Sequence, residues 1–368
     1  MHKVKNAMKK FLVVQTKEIG DVLVSTALCN NLKQAYPQAR VDYLVMDYCA
    51  GMAEGNPYID NLITLDKKQK DDWRYLWQLM RDIRQTAYDA VINSQGQIIG
   101  LLTCLFSGAK TRIGFDSFPW RLGHNRIVQF GKDTDHQGNA DMVDDRFSLL
   151  APLQLPKEDR NYYLWLSEQE QQQGRDKLLA AGIDLHRPVV TLGVNSKGAY
   201  KCWPIDCFAA LAEMMIDRYQ AQILVYCGPG EDAHNHQLRT LLPEEKRKSV
   251  FDNIKTRSIR ELAGLIVHSQ YFIGNDTGPR HIAQALEVPT LSITAPFGDK
   301  RIANPDNHPK FRTIDIPGAL VLTTEQWDKM RAGIQRGTPE EQDIFRNLTP
   351  ELVWACADKQ INELQLFR

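Results

Sequence analysis

The chain has 368 residues, and its 45 Lys and Arg balance 45 Asp and Glu, so the formal net charge at pH 7 is zero. This balance excludes a global field that would draw the whole protein to nucleic acid or an anionic membrane, so any anionic partner must be bound locally. At roughly 150 residues per domain, the length predicts two domains. The seven cysteines are scattered and form no CxxC pair, which favours reduced thiols in the cytosol. The longest apolar window, 98–106, is shorter than the ~18 residues needed to span a bilayer.

The first part of the chain alternates strand-like and helix-like segments. The apolar run 11–15 predicts a buried parallel strand, and after Gly20 the apolar residues recur at helical spacing. Further strands are predicted at 39–46, 61–65 and 89–94, with an amphipathic helix at 73–86. Strands that alternate with helices indicate a parallel, doubly wound sheet.

The same alternation restarts near Arg187, after a polar segment at 131–140. Strands are predicted at 188–194, 221–228, 271–276 and 289–294, with helices between them. A last helix has Thr349 as its N-cap and Pro350 at its first position. We therefore predict an α/β fold with an N-terminal lobe (1–167), a C-terminal lobe (168–348) and a closing helix (349–368), which we expect to pack back on the N-terminal lobe.

The stretch GNDTGPRHIAQAL, at a predicted strand-to-helix corner, is the most informative motif. Asp276 or Thr277 can cap the helix, Gly278 lets a ligand approach the backbone, and the exposed N–H groups of such a terminus suit a phosphate. The alternative is a well-capped structural helix. Arg280 and His281 favour the ligand, because cationic or donor side chains near a helix N-terminus do not stabilise the helix, whose dipole disfavours positive charge there.

Three other strand ends carry candidate residues. Asp21 follows the first strand, where it is either the N-cap of the next helix or a carboxylate that takes a proton from a substrate hydroxyl. Lys197 and Lys201 follow the first strand of the second lobe and are either solvated or phosphate-binding. Glu231 follows a Gly-Pro-Gly turn and either caps a helix or holds a ribose hydroxyl.

Two other ligand classes are disfavoured. Asp133 and Asp135, with His136 nearby, form an Asp-x-Asp pair, but no strand end of a nucleotide-type lobe precedes them, so we do not expect a metal site. No HExxH or CxxC companion supports zinc. The first turn also lacks GxGxxG, which disfavours an NAD-dependent oxidoreductase.

With these residues in place, the chain resembles the ADP-heptose:lipopolysaccharide heptosyltransferases of glycosyltransferase family 9. The resemblance covers nearly the whole chain, and its most specific part is the family pattern G-N-D-[ST]-G-x-x-H-x-A-x-A, which matches 274–285. Other segments fall in the family's order: IGDVLVSTAL from 19, NPYIDNLITLD from 56, KTRIGFD from 110 and KCWP from 201. The departures are Lys17-Glu18 before Ile-Gly-Asp, the Asn195-Ser196-Lys197 turn, and a segment at 316–347 that is longer than we expect.

The resemblance implies a GT-B architecture, in which two doubly wound Rossmann-like lobes face each other across a cleft. It implies Asp21 as catalytic base and Lys201 as the lysine of the donor diphosphate, acting in catalysis and binding. Further donor-binding residues are expected at Ser196, Glu231, Asp276, Thr277, Gly278 and His281.

We therefore expect an inverting, metal-independent glycosyltransferase that moves heptose from ADP-heptose to a hydroxyl of the lipopolysaccharide inner core, with no cofactor. A transferase for another nucleotide-diphospho-sugar and a non-catalytic nucleotide-sugar-binding protein stay open as alternatives. We expect a cytoplasmic monomer that binds no nucleic acid, and leave open a peripheral contact with the cytoplasmic face of the inner membrane.

Overall fold

The computed structural model describes residues 10–129, 142–156, 159–196, 198–226, 232–298 and 308–367. The chain divides into two compact units, Met1–Trp165 and Leu166–Arg368. This division lies two residues before the predicted lobe boundary, which follows residue 167. Within the described part of the chain, no helix combines the length and the apolar composition that a membrane crossing requires.

The N-terminal unit is built on a six-stranded parallel sheet in the order β3-β2-β1-β4-β5-β6. Its strands are β1 Lys10–Gln15, β2 Arg40–Met46, β3 Asn61–Leu65, β4 Ala90–Asn93, β5 Thr111–Phe115 and β6 Arg126–Val128. Its helices are α1 Ile19–Ala35, α2 Trp73–Thr86, α3 Ile98–Phe106 and α4 Met142–Ser148, with 3-10 turns at Asp47–Met52, Trp120–Gly123 and Ala151–Leu153. The central strand β1 is apolar and buried on both faces, as a parallel strand covered by helices must be.

The C-terminal unit repeats this topology in the order β12-β11-β10-β7-β8-β9. Its strands are β7 Val189–Gly193, β8 Gln222–Val225, β9 Val250–Phe251, β10 Tyr271–Asn275, β11 Thr290–Ile293 and β12 Phe311–Ile314. Its helices are α5 Glu168–Ala180, α6 Ile205–Tyr219, α7 Asp232–Leu241, α8 Glu244–Arg247, α9 Ile259–Ile266, α10 Gly278–Ala285, α11 Ile316–Ala319, α12 Thr324–Met330, α13 Pro339–Phe345 and α14 Pro350–Leu364, with a 3-10 turn at Ala199–Lys201. The predicted fold class, α/β with two doubly wound Rossmann-like units, is confirmed.

Both sheets reverse their winding direction at one place, between β1 and β4 and between β7 and β10. Loops that leave the carboxyl ends of two such strands diverge to opposite faces of the sheet, and ligands bind in the crevice between them. The predicted residues Asp21, Lys201 and 276–281 all follow one of these four strands.

The closing helix α14 begins as predicted, with Thr349 as N-cap and Pro350 in its first turn. Its buried stripe, Val353, Ala357 and Ile361, belongs to the core of the C-terminal unit. We expected the closing helix to pack on the N-terminal lobe, but its buried face packs into the core of the C-terminal unit. The reason is the i, i+4, i+8 spacing of the stripe, which forms one continuous apolar face that α6 covers.

Candidate active site

Asn275 joins the two loops at the switch point of the C-terminal unit. It ends β10 and is fully buried. Its side-chain Nδ2 donates to the Val194 carbonyl oxygen at 2.9 Å, and its Oδ1 accepts from the Trp203 backbone N–H at 2.9 Å. Both bonds go to the loop that follows β7, so the Lys201 loop is fixed beside the turn that begins at Asp276. The sequence motif contains Asn275, but we had assigned it no role.

Two glycines let the strands approach closely just below this point. Gly274 pairs with Gly193 in the parallel register of β10 and β7. A Cβ atom on Gly274 would lie 2.6 Å from the Gly193 Cα, which no side chain tolerates. Both backbones thus reach the same edge of the sheet without a side chain between them.

The start of α10 offers the backbone donors that the sequence predicted. Thr277 is the N-cap and makes no side-chain capping bond, and Pro279 in the first turn has no N–H. The unsatisfied amides at such a terminus are therefore those of Thr277 and Gly278. Both residues are partly exposed, so the dipole and the two amides can receive an anion.

Arg280 does not take the role that its position suggested. Its side chain is fully buried, and its Nη2 donates to the Asp276 carboxylate at 2.7 Å. Its Nη1 donates to Gln284 Oε1 at 2.7 Å. Arg280 is thus an internal brace of the turn and not a cation presented to a ligand.

His281 lies beside this guanidinium and is held neutral. Burial, reinforced by the charge of Arg280, lowers the pKa of His281 to about 3. Its Nε2 is 2.8 Å from Arg280 Nη2, which can only donate, so Nε2 accepts and the proton resides on Nδ1. Of the two roles that the sequence leaves open for His281, cation or hydrogen-bond donor, the neutral state favours the donor.

Lys201 lies close enough to the turn to act on it electrostatically. Burial alone would raise the pKa of Asp276, but the nearby charge of Arg280, with a smaller contribution from Lys201, holds that pKa below its ordinary value. Together with the Asn275 bonds to the loop that carries Lys201, this effect indicates that the loop lies beside the turn, while a role of Lys201 in diphosphate binding stays a prediction. Because Asp276 is paired with Arg280, its negative charge opposes a bound anion less than an isolated carboxylate would.

The long segment 316–347 packs against the Lys201 loop. The Arg336 guanidinium lies 5.1 Å from the centroid of the Tyr200 ring, and the Lys201 ammonium lies 6.0 Å from the same centroid. Gln342 Nε2 also donates to the Cys202 carbonyl oxygen at 3.3 Å. A segment without a sequence-based role thereby supports the loop and brings a second cation near Lys201.

The structure gives less information on the other residues that we predict to bind the sugar donor. Ser196 is partly exposed on the loop after β7. Its neighbour Asn195 is buried and joins that loop to α7 through Asn235, whose Oδ1 accepts from Asn195 Nδ2 at 2.8 Å. Lys197 and Glu231 lie outside the described residues.

In the N-terminal unit, Asp21 lies in the first turn of α1 after β1. The N-cap of this helix is Glu18, so the alternative reading of Asp21 as the N-cap is wrong. Asp21 Oδ1 instead accepts from Arg146 Nη2 of α4 at 2.9 Å. Only 7% of the Arg146 side chain is exposed, against 21% for Asp21. Among the described residues, Asp21 Oδ2 has no such partner and stays available to a substrate hydroxyl.

Arg146 was missed by the sequence reading. It lies 125 residues from Asp21, and its guanidinium also lies 5.9 Å from the centroid of the Phe115 ring. Its Nε finds no hydrogen-bond partner among the described residues. No local pattern announces such a contact, because it depends on α4 packing against α1.

A pocket of about 450 Å³ opens beside the start of α1. Lys17, Lys67 and Lys70 contribute cations, and Tyr48, Ile98 and Ile99 contribute apolar surface. Lys67 lies 5.1 Å from the centroid of the Tyr48 ring. Because Glu18 and Asp71 also line this pocket and Lys70 lies 3.6 Å from Asp71, the pocket combines apolar surface with only a small excess of positive charge.

A larger pocket of about 720 Å³ lies between α5 and α9 and contains none of the predicted site residues. Its charged groups already pair with one another: Lys177 bonds Glu261 at 2.8 Å, and Arg260 Nη2 bonds Glu170 at 2.7 Å. We do not assign the chemistry to this pocket, because its charges are mutually neutralised. No cluster of three or more His, Cys, Asp or Glu ligands occurs among the described residues, and Asp133, Asp135 and His136 lie outside them.

Two Rossmann-like units, one with a carboxylate after its first strand and the other with exposed helix amides at the switch point, form an arrangement that suits a transferase of nucleotide sugars. The family model for glycosyltransferase family 9 (heptosyltransferase) matches residues 76–308, and the chain belongs to this family.

The relatives agree with this assignment. The chain is 27% identical to lipopolysaccharide heptosyltransferase 3 of Escherichia coli (strain K12) over 282 residues, which are 74% of this chain and 79% of the relative. The fold is shared with a family 9 glycosyltransferase from Veillonella parvula DSM 2008, with a TM-score of 0.78, 19% identity, and coverage of 96% of this chain and 97% of that one. It is also shared with the E. coli ADP-heptose lps heptosyltransferase II, with a TM-score of 0.71, 18% identity, and coverage of 97% and 99%.

Proposed function

We propose that this protein transfers heptose from ADP-heptose to a hydroxyl of the lipopolysaccharide inner core, with inversion at the sugar carbon. The observation that supports the proposal is that Asn275 ties the loop that carries Lys201 to the turn at the N-terminus of α10, at the switch point of the C-terminal unit. A point charge and two helix amides in one place suit a diphosphate leaving group. The choice of sugar and acceptor rests on the family and on the names of the relatives.

In the chemical step, the acceptor oxygen bonds to the anomeric carbon while the bond from that carbon to the diphosphate oxygen breaks. Asp21 Oδ2 takes the hydroxyl proton as general base. Arg146 holds Oδ1 and so fixes the orientation of the carboxylate. Lys201 and the amides of Thr277 and Gly278 stabilise the charge that develops on the ADP that leaves.

We propose that the reaction needs neither a metal ion nor a cofactor, because Lys201 and the α10 terminus supply the positive potential that a metal would otherwise provide. We also propose that the protein acts in the cytoplasm, as a monomer that contacts the inner membrane peripherally. The free cysteines among the described residues fit a reducing compartment.

The test is incubation with ADP-heptose and core-truncated lipopolysaccharide, followed by mass measurement of the acceptor. We expect the mass to rise by one heptose residue, equally with and without excess EDTA. Transfer only from another nucleotide sugar would replace the donor, donor binding without any transfer would indicate a non-catalytic protein, and activity restored by Mg²⁺ after EDTA would refute metal independence.

The matched variant is Asp21→Asn, which keeps the size and a hydrogen-bond acceptor but cannot take the proton. We expect kcat to fall by about 10²–10⁴ while ADP affinity stays nearly unchanged. Activity within a few-fold of the wild type would remove Asp21 from the role of base.

A further inference from the structure

The N-terminal unit exposes an unusual group of large apolar side chains on α2, on α3 and between residues 118 and 127. Of the fourteen large hydrophobic residues that are exposed in the described part of the chain, eight lie between 73 and 127. We call these eight the aromatic patch: Trp73, Trp77, Ile98, Leu105, Phe106, Phe118, Leu122 and Ile127. The C-terminal unit exposes only four among its described residues, all aliphatic. Such clustering marks an interaction surface.

Contacts join the two helices and the turn that carry most of the patch. The rings of Trp77 and Phe106 lie 6.3 Å apart in an edge-to-face arrangement, which joins α2 to α3. Arg84 Nη1 also donates to the Phe106 carbonyl oxygen at 3.3 Å. On the other side of α3, Leu101 lies so close to Gly123 that a Cβ there would be 3.0 Å from its Cδ1. The three elements are thus neighbours.

Among the elements that carry the patch, helix α3 has the composition least expected of an exposed helix. Its nine residues, IIGLLTCLF, carry no charge. A helix that is apolar all round is normally buried, yet Ile98, Leu105 and Phe106 are exposed. On α2, Trp73 and Trp77 are 70% and 60% exposed and stand one turn apart on the same side.

The charge around the patch is positive, although the whole chain is neutral. Residues 67–126 contain ten Lys and Arg against five Asp and no Glu, a formal net charge of +5, whereas the full chain has zero. Arg74 lies 5.5 Å from the Trp73 ring centroid. Among the described residues, the three exposed arginines of α2, at 74, 81 and 84, form no ion pair with a carboxylate.

We propose that the aromatic patch is the surface on which this protein docks to an anionic phospholipid bilayer. Tryptophan prefers the headgroup level of a bilayer, apolar side chains enter the acyl boundary, and arginine pairs with lipid phosphates. A second copy of the chain fits worse, because a two-fold interface would set the same positive surface against itself. The inference deepens the proposed function, because it assigns a surface to the peripheral membrane contact proposed above, and it rests on that function in taking the acceptor to carry a lipid.

The pocket of about 450 Å³ beside the start of α1 adjoins the aromatic patch, with which it shares Ile98. Its lining includes Ile98 and Ile99 at the start of α3, and Lys70 and Asp71 just before α2. Docking through α2 and α3 would therefore bring the mouth of the pocket to the headgroup level, where the saccharide of a lipid-anchored acceptor begins. This placement explains why an enzyme would keep costly apolar exposure at this position.

The test measures partition of the full chain into vesicles of phosphatidylethanolamine with phosphatidylglycerol, and into vesicles of phosphatidylcholine alone. We expect binding to the anionic vesicles only. Trp73→Ser with Trp77→Ser should lower the partition coefficient at least about tenfold, and Arg74→Ser with Arg81→Ser should lower it about fivefold per arginine.

Matched controls come from the C-terminal unit. Leu179→Ser with Leu241→Ser removes two exposed apolar side chains (46% and 48%), and Arg175→Ser with Lys248→Ser removes two exposed cations. Both controls should partition as the wild type does. Circular dichroism and ADP binding check that each variant is folded.

Two outcomes would overturn the inference. In the first, the patch variants bind vesicles as the wild type does. In the second, the wild type does not bind vesicles but forms a dimer in sedimentation experiments, and the tryptophan substitutions dissociate that dimer. A second assay measures heptose transfer to a lipid-free acceptor oligosaccharide. It distinguishes a failure of the membrane-docking inference from a failure of the proposed function. The tryptophan variant should keep that transfer and lose transfer to a vesicle-embedded acceptor. If no transfer occurs to either acceptor, the proposed function fails while the vesicle result stands by itself.

Discussion

Removal of one partner of the Asp21–Arg146 ion pair should destabilise the N-terminal unit by an amount that depends on which partner is removed. Only 7% of the Arg146 side chain is exposed, against 21% for Asp21. Asp21→Ala leaves a buried guanidinium without its carboxylate, which typically costs ~3–5 kcal/mol. Arg146→Met keeps the apolar volume and leaves a carboxylate that water can reach, so only the charge-assisted hydrogen bond is lost, ~1.5–3 kcal/mol. The double variant should be close to Arg146→Met alone, because no uncompensated charge is left.

The measurement is chemical denaturation combined with hydrogen exchange of peptides from α1 and α4, since the two units can unfold separately. Arg121→Met is the control. Its partner Asp116 lies at 2.9 Å, but both side chains are considerably exposed (49% and 29%), so we expect a loss below about 1 kcal/mol. Equal losses for Asp21→Ala and Arg146→Met, or a larger loss for Arg146→Met, would refute the reasoning that burial of the cation sets the magnitude.

Two further predictions concern the C-terminal unit. Lys201→Ala should weaken ADP binding roughly 10- to 150-fold and adenosine binding far less, measured by titration calorimetry with the exposed Lys248→Ala as control; equal losses for both ligands would place the diphosphate elsewhere. In the folded protein the pKa of His281 is about 3, below its ordinary value. Its contribution to stability is therefore fully present above pH ~6.5 and is lost as the pH falls towards 3. The cause is that the unfolded chain then binds a proton at this residue and the folded chain does not. His281→Gln should therefore reduce the slope of the unfolding free energy against pH by up to about 1.4 kcal/mol per pH unit between pH 6 and 4. The control is His186→Gln, a substitution of an exposed histidine, which should leave this slope unchanged. If His281→Gln has the slope of the wild type, the reasoning about His281 is refuted.

Local patterns were sufficient for the central strands and the helices that cover them. β1, β2, β7 and β10 are apolar runs bounded by turn residues, and their burial on both faces follows from that composition. The sequence reading missed β5, β6, β9 and β12. β9 has only two residues and β6 three, and β5 and β12 each carry an arginine. Short segments of this kind become strands only because a neighbouring strand offers them hydrogen bonds.

The candidate site shows the same division. Asp21, Lys201 and the turn at 276–281 could be selected because each follows a predicted strand, and parallel strands deliver their carboxyl ends to one edge. The side-chain partners could not be selected. Arg280 stands at a helix start, where a ligand-binding cation is expected, but its full burial makes it the partner of Asp276.

The sequence by itself thus determined the repeated α/β organisation and the strand ends at which polar chemistry stands, because these depend on periodicities of two and 3.6 residues within short windows. Only the tertiary structure decided that Arg146 holds Asp21, that His281 is neutral and that segment 316–347 supports the Lys201 loop. Each of these depends on desolvation and on contacts between residues far apart in the chain. A carboxylate, an imidazole or a guanidinium has no fixed charge state or role until its neighbours determine how much water remains around it.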